Sequence, residues 1–219
     1  MAMAMVTDTV MDTVMDIMMI ESVNKRRNHF SKNYSPDFTM KIIQTNLIGA
    51  VVIQPKIFED ARGYFFESYS KKLFFENNIF DEFVQDNESL SQKGVLRGLH
   101  FQNPPHAQAK LVRVIRGAVL DVAVDIRIKS PTYGKYFSVV LSSENKTMFY
   151  IPEGFAHGFV VLEDNTVFSY KCSRTYNKKS EEGILWNDVD LNIEWGIKNP
   201  ILSEKDKNAQ KFKDFKSKF

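Results

Sequence analysis

The sequence predicts a mainly β protein, a closed antiparallel barrel or jelly roll with a few short helices. Three observations predict it. Eighteen phenylalanines and eight tyrosines suit pleated, half-buried surfaces. Beyond residue 40, short apolar runs are punctuated by Gly, Asn and Asp at close intervals, the pattern of many short strands joined by tight turns. With 219 residues, 43% of them hydrophobic, the chain can bury a full core as one domain or one domain with an appendage.

Residues 1–39 differ in kind from the rest. Eight of the nine methionines fall within residues 1–40, and Asp8-Thr9-Val10-Met11 recurs at once as Asp12-Thr13-Val14-Met15. On a helix this repeat sets Asp8, Asp12 and Asp16 along one stripe and Val6, Val10, Val14 and Met18 along another. The segment reads as a short amphipathic helix or as a loosely ordered extension. The domain then spans 40–219, with Met40 a natural beginning. Neither a secretory signal nor a transit peptide is expected, because aspartates interrupt the apolar part and no basic region precedes it.

Within the domain, residues 47–53 read as a strand ended by Pro55, and 62–69 as another. A short helix is expected over 71–77 and an extended piece over 83–87. Residues 110–115 alternate, with Lys110, Val112 and Val114 on one face and Leu111, Arg113 and Ile115 on the other. Arg116-Gly117 makes a tight turn into a strand over 118–126. Strands over 136–141, 147–151, 157–162 and 166–172 follow, separated by Ser143-Glu144-Asn145-Lys146 and Glu163-Asp164-Asn165. The tail, 203–215, reads as a capped helix with Ser203 at the N-cap and Asp206 at the third position.

Bulk properties narrow the function classes. A formal net charge of +2 implies neither a nucleic-acid nor a membrane partner. The single cysteine, Cys172, rules out an internal disulfide and fits a reducing compartment. No uncharged apolar run approaches the ~20 residues that span a bilayer. A cytoplasmic protein is expected.

Chemistry concentrates in Leu96-Arg97-Gly98-Leu99-His100-Phe101-Gln102 and the following Lys110-Leu111-Val112-Arg113. A second histidine sits in Pro152-x-Gly154-x-x-His157-x-Phe159, which resembles the second signature of the cupins, small double-stranded β-helix barrels. Metal-binding cupins need a His-x-His and a glutamate on an earlier strand pair. Here that place holds His100-Phe101-Gln102, and His106 follows Pro104-Pro105 in a loop, so no metal is expected. His100 is the natural base, since imidazole exchanges protons near neutrality; the alternative is a core histidine tied to a carbonyl. Lys110 shares its face with Val112 and Val114, and a buried ammonium is costly without a partner or ligand anion. Tyr170 shares a face with Phe168 and Cys172 and is either a proton donor or a core phenol. Asp206 is either a helix N-terminal acid or the carboxylate that orients the imidazole.

These segments are similar to those of the dTDP-4-dehydrorhamnose 3,5-epimerases, cupin-fold sugar-nucleotide epimerases. The likeness runs from about Lys41 to Asp206. It is carried by residues 58–69 (FEDARGYFFESY), by Val84-Gln85-Asp86-Asn87, by the His100 and Lys110 segments, by 151–160, and by Ile184-Leu185-Trp186-Asn187-Asp188 with Ile193-Glu194-Trp195. The resemblance implies a cofactor-free isomerase that converts dTDP-4-dehydro-6-deoxy-D-glucose into dTDP-4-dehydro-L-rhamnose. It implies that His100 is the base, Asp206 its carboxylate partner, Tyr170 the acid on the opposite face and Lys110 the stabiliser of the enolate oxygen. Arg97 and His157 would line the pocket, and Gln85, Asn87, Glu181 and Lys205 would contact the nucleotide sugar. Arg62 and Glu67 match residues that reach the site from a neighbouring subunit, which implies a homodimer. A single-carbon epimerase of a related 4-keto-6-deoxysugar, and a non-catalytic sugar-nucleotide binding cupin, are the alternatives.

Overall fold

The computed structural model describes residues 39–219; the reading of 1–39 as an extension lies, but for Thr39, outside the described residues. The elements in chain order are β1 (Met40–Gln44), β2 (Val51–Pro55), β3 (Phe58–Asp60), β4 (Gly63–Phe65), α1 (Lys71–Glu76), β5 (Gln85–Ser91), β6 (Leu96–Gln102) and β7 (Lys110–Arg116). They continue as β8 (Ala118–Asp125), β9 (Tyr136–Ser142), β10 (Met148–Ile151), β11 (Phe155–Val161), β12 (Thr166–Cys172), β13 (Glu181–Gly183), α2 (Glu204–Lys207) and a 3-10 turn at Phe212–Asp214.

Two antiparallel sheets hold the domain, one ordered β1-β2-β10-β7-β12-β5 and the other β13-β6-β11-β8-β9. This is the cupin-type jelly roll. The core between the sheets joins Val112 and Val114 of β7, Phe149 of β10 and Phe168 of β12 to Val119 of β8, Leu141 of β9, and Phe155 and Phe159 of β11. Alternation sends the neighbours of these residues outward. Ala156 and Val160 of β11 thus face a second apolar layer with Leu191, Trp195 and Phe215. Covered on both faces, β11 is buried at every position, as expected of a strand without a solvent side. Outside the other sheet, Leu111, Met148 and Tyr150 pack with Phe74 of α1.

Several boundaries differ from the sequence reading. The apolar run 47–53 is a strand only from Val51. Leu47 and Ala50 are buried, but they enter the core from a turn closed by Thr45, whose hydroxyl donates to the Leu47 and Ala50 carbonyls. Burial alone made that stretch look extended. Residues 62–69 are not one strand: β3 and β4 form a separate hairpin whose turn is fixed by the Asp60 carboxylate accepting from the Arg62 backbone N–H at 2.8 Å. The extended piece at 83–87 starts at Gln85 and runs on to Ser91.

The turn at Gly117 joins no hairpin. β7 pairs with β10 and β12, whereas β8 pairs with β9 and β11, so Gly117 is a corner between sheets. The helix read over 203–215 stops at Lys207. The chain then turns extended because the Gln210 carbonyl accepts from Leu185 N–H at 2.8 Å and the Phe212 N–H is taken by Asp188.

Candidate active site

A cavity of about 390 Å³ is lined by Arg97, His100, Lys110, His157, Phe159, Tyr170, Ser203 and Asp206 together with Ser89, Val95, Leu96, Ile201 and Leu202. Its two histidines are brought together by strand register. β6 and β11 pair antiparallel with His100 opposite His157. Their approach is unusually close at Gly98, whose φ is +130° and where a Cβ would lie 2.5 Å from the Gly158 Cα. Only glycine fits there. On the facing sheet, β12 places Tyr170 opposite Val112 and Cys172 opposite Lys110, so the phenol and the ammonium enter the cavity from neighbouring strands.

Asp206 reaches the cavity from α2. Its Oδ1 lies 2.5 Å from His100 Nε2, and it is 3% exposed. Burial alone would raise the Asp206 carboxyl, but the hydrogen bonds from His100 and Ser203 outweigh it and hold it below the usual carboxylate range. An ionised Asp206 can only accept, so His100 Nε2 is the donor in this pair. Burial pushes the Lys110 amine down, against the pull of Cys172, Asp121 and Glu181. The Lys110 Nζ lies 6.0 Å from the centre of the Tyr170 ring. Burial also raises the Tyr170 phenol, with Cys172 adding to it and Arg97 opposing it, which favours the protonated phenol.

The sequence reading missed Asp121. This fully buried carboxylate of β8 accepts from His157 Nε2 with both oxygens at 3.0 Å. Burial lowers the His157 imidazole pKa, against the pull of Asp121. The signal was legible: an aspartate inside the apolar run of β8 needs a buried partner. Arg97 is the pocket residue that was expected, with its guanidinium donating to Ser91 Oγ at 3.1 and 3.3 Å.

The remaining expected residues fall outside the cavity lining. Gln85, Asn87, Glu181 and Lys205 belong to a polar network. Gln85 donates to Asn87 Oδ1 at 3.0 Å and accepts from the Tyr176 N–H at 2.9 Å. Tyr176 donates to Glu181, which also pairs with Lys205 at 2.6 Å. Burial would raise the Glu181 carboxyl, but Lys205 and Tyr176 hold it below its ordinary value. Arg62 and Glu67 are not brought to the cavity within one chain. Arg62 is 90% exposed and bound to Asp60 at 2.5 Å, while Glu67 Oε2 is buried without a hydrogen-bond partner among the described residues.

Among the described residues no three His, Cys, Asp or Glu side chains are grouped to hold a metal; His100 and His157 each face a separate carboxylate instead. No helix of the described residues is long and apolar enough to cross a membrane. An aimed imidazole, a phenol and an ammonium around one cavity can remove a proton, return one, and stabilise the oxyanion formed between.

Fold and site together define a cupin-fold enzyme of the acid–base, proton-transfer class. Comparison with known proteins narrows the class. The family model for dTDP-4-dehydrorhamnose 3,5-epimerase matches residues 44–214. The Shigella flexneri dTDP-4-dehydrorhamnose 3,5-epimerase is 55% identical over 176 residues, 80% of this chain and 97% of that protein. The crystal structure of the Elizabethkingia anophelis dTDP-4-dehydrorhamnose 3,5-epimerase superposes with a TM-score of 0.78 at 55% identity, covering 80% of this chain and 97% of that one. A Legionella pneumophila dTDP-6-deoxy-D-glucose-3,5-epimerase, solved with dTDP-4-keto-L-rhamnose, gives 0.76 at 50% identity, covering 79% and 93%. The chain belongs to the dTDP-4-dehydrorhamnose 3,5-epimerase family.

Proposed function

We propose that the chain, an isomerase, converts dTDP-4-dehydro-6-deoxy-D-glucose into dTDP-4-dehydro-L-rhamnose by epimerising carbons 3 and 5, with residues 40–219 as the epimerase domain. The single observation that carries the reading is the His100–Asp206 pair at 2.5 Å on the same cavity as Tyr170 and Lys110. His100 removes the proton next to the 4-keto group. The electrons move into the ring as an enolate, whose oxygen Lys110 stabilises, and Asp206 stabilises the imidazolium. Tyr170 then returns a proton to the same carbon from the opposite face. One proton leaves and one returns at each carbon, so the reaction balances with no redox cofactor.

In this reading Arg97 and His157 contact the sugar nucleotide in the pocket, and Gln85, Asn87, Glu181 and Lys205 bind its outer part. Arg62 and Glu67 act from the partner subunit of a homodimer. The dimer reading is supported by the β3–β4 hairpin, which lies outside both main sheets and exposes Tyr64 and Phe65 at 56% and 59%. Exposed aromatic side chains of this kind suit an interface. A cytoplasmic location accords with the one buried free cysteine, Cys172.

The test is turnover of dTDP-4-dehydro-6-deoxyglucose in deuterated water. Deuterium is expected at carbons 3 and 5, and label at one carbon only would overturn the double epimerisation. His100→Ala is expected to lower exchange by about 10²–10⁴-fold. Tyr170→Phe is expected to block product formation. Unchanged exchange and turnover in both variants would overturn the site assignment.

A further inference from the structure

We propose that Ser203 is a positioning residue for the epimerisation, its hydroxyl holding the Asp206 carboxylate in line with His100. The proposal rests on the reading of His100 as the base. The two oxygens of Asp206 have different partners: Oδ1 faces His100 Nε2 at 2.5 Å, and Oδ2 accepts from Ser203 Oγ at 2.7 Å. Among the described residues, Ser203 and His100 are the two groups that donate to this side chain. The direction of the second bond follows from its neighbour. Ser203 Oγ accepts from the Asp206 backbone N–H at 3.1 Å, and an ionised carboxylate has no hydrogen to give, so the serine proton lies on the line to Oδ2.

Asp206 depends on that proton more than a carboxylate on a long helix would. Its helix has four residues, too few to be held by its own ladder. Outside support comes from the Lys205–Glu181 pair and from Ile201, whose backbone bonds Gly94 and Leu96. Neither fixes the rotation of the carboxylate about χ2, which is intrinsically broad for aspartate. Without the serine hydroxyl, Oδ2 is a buried oxygen with no donor. The plane of the carboxylate is then set by His100 alone, at the moment when His100 must be aimed at substrate. The consequence falls on the step in which the imidazolium forms, when the carboxylate's orientation matters most. Arg97, Lys110 and the remaining wall keep their places, so the loss is in kcat and not in KM.

Ser203 is also the N-cap of α2, and a purely structural cap would touch the same atoms. Glycine separates the two roles: at an N-cap it costs only a few tenths of a kcal/mol relative to serine, yet it has no hydroxyl to give Asp206. Full-length Ser203→Ala, Ser203→Gly and Ser203→Thr are compared by steady-state turnover of dTDP-4-dehydro-6-deoxyglucose and by thermal melting, with His100→Ala assayed for solvent exchange alongside. A hydrogen bond to a charged group predicts a kcat loss of about ten- to a hundred-fold for both Ala and Gly, at nearly constant KM. Ser203→Gly is expected to melt above Ser203→Ala, since glycine is the better N-cap, with both below the parent because Oδ2 loses its donor, and Ser203→Thr to recover kcat to within about three-fold because it keeps both cap and donor. A Gly variant with parental kcat would overturn the positioning role and leave Ser203 a cap. Full exchange by His100→Ala would instead remove the base assignment, and the proposal with it.

Discussion

Lys110 is the residue at which function and stability pull hardest against each other. Its amine is pushed down by burial, so the folded state disfavours the charged form relative to the unfolded chain. A lysine with a lowered folded pKa costs stability below that pKa, and the cost fades as pH rises towards its unfolded value of about 10.4. Lys110→Met is therefore expected to raise Tm at neutral pH while lowering kcat by about 10²–10³-fold, the usual scale for losing an oxyanion stabiliser; melting and turnover on one preparation check both halves. Asp206 has the opposite sign. Its folded pKa is lowered, so it contributes stability above the unfolded value of about 3.9 that is lost as pH falls through the folded value. Asp206→Asn should flatten the acid limb of a Tm-against-pH profile below about pH 4; an unchanged limb would show that the pair adds nothing to acid stability.

Strand pairing, more than any side chain, puts the two histidines side by side. β6 and β11 can approach as they do because Gly98 and Gly158 face each other without Cβ atoms. Gly98→Ala must displace the Gly158 backbone or leave its φ of +130°, either of which shifts His100 relative to His157. Strain of this kind is worth about 1–3 kcal/mol, and a denaturant midpoint lowered accordingly, with deuterium exchange lost, is the expected outcome. The corner at Gly117 is the other demanding turn: its φ is +82° and a Cβ would lie 2.2 Å from Thr166 Oγ1. Here the expectation for Ala is a stability loss with the chemistry of the surviving folded protein intact, because Gly117 is not among the cavity-lining residues.

The whole molecule enters through Arg62 and Glu67, which one chain does not bring to its own cavity. If they act across a dimer, a subunit carrying Arg62→Ala and one carrying Tyr170→Phe repair each other when combined. The site with an intact Tyr170 then receives an intact Arg62 from its partner. Random reassociation of the two inactive variants should recover roughly a quarter of parental activity, since half the dimers are mixed and each has one whole site. Activity that stays at the level of the separate variants would mean that Arg62 does not act from the partner subunit and would remove its support for the dimer.

Much of this was readable from residue order alone. Alternation in β7 put Lys110 with Val112 and Val114 on the inward face, and the face shared by Phe168, Tyr170 and Cys172 marked β12 as another inner wall. Local periodicity carries such information because side chains on a strand alternate whatever the strand pairs with. Partnership was not readable from the residues themselves; the family resemblance alone assigned Asp206 to His100. Asp121 went unread until β8 lay beside β11, and Ser203 read only as a cap until α2 brought Asp206 to His100, 106 positions away. The turn at Gly117 could be seen, but whether it closed a hairpin or turned a corner depended on which strands met. Sequence by itself determined the β class, the family and the chemical types available for proton transfer. Only the tertiary structure gave His157 its carboxylate, Asp121, and set Asp206 within hydrogen-bonding distance of His100, because hydrogen bonds act over about 3 Å and chain order says nothing at that range about residues far apart in the chain.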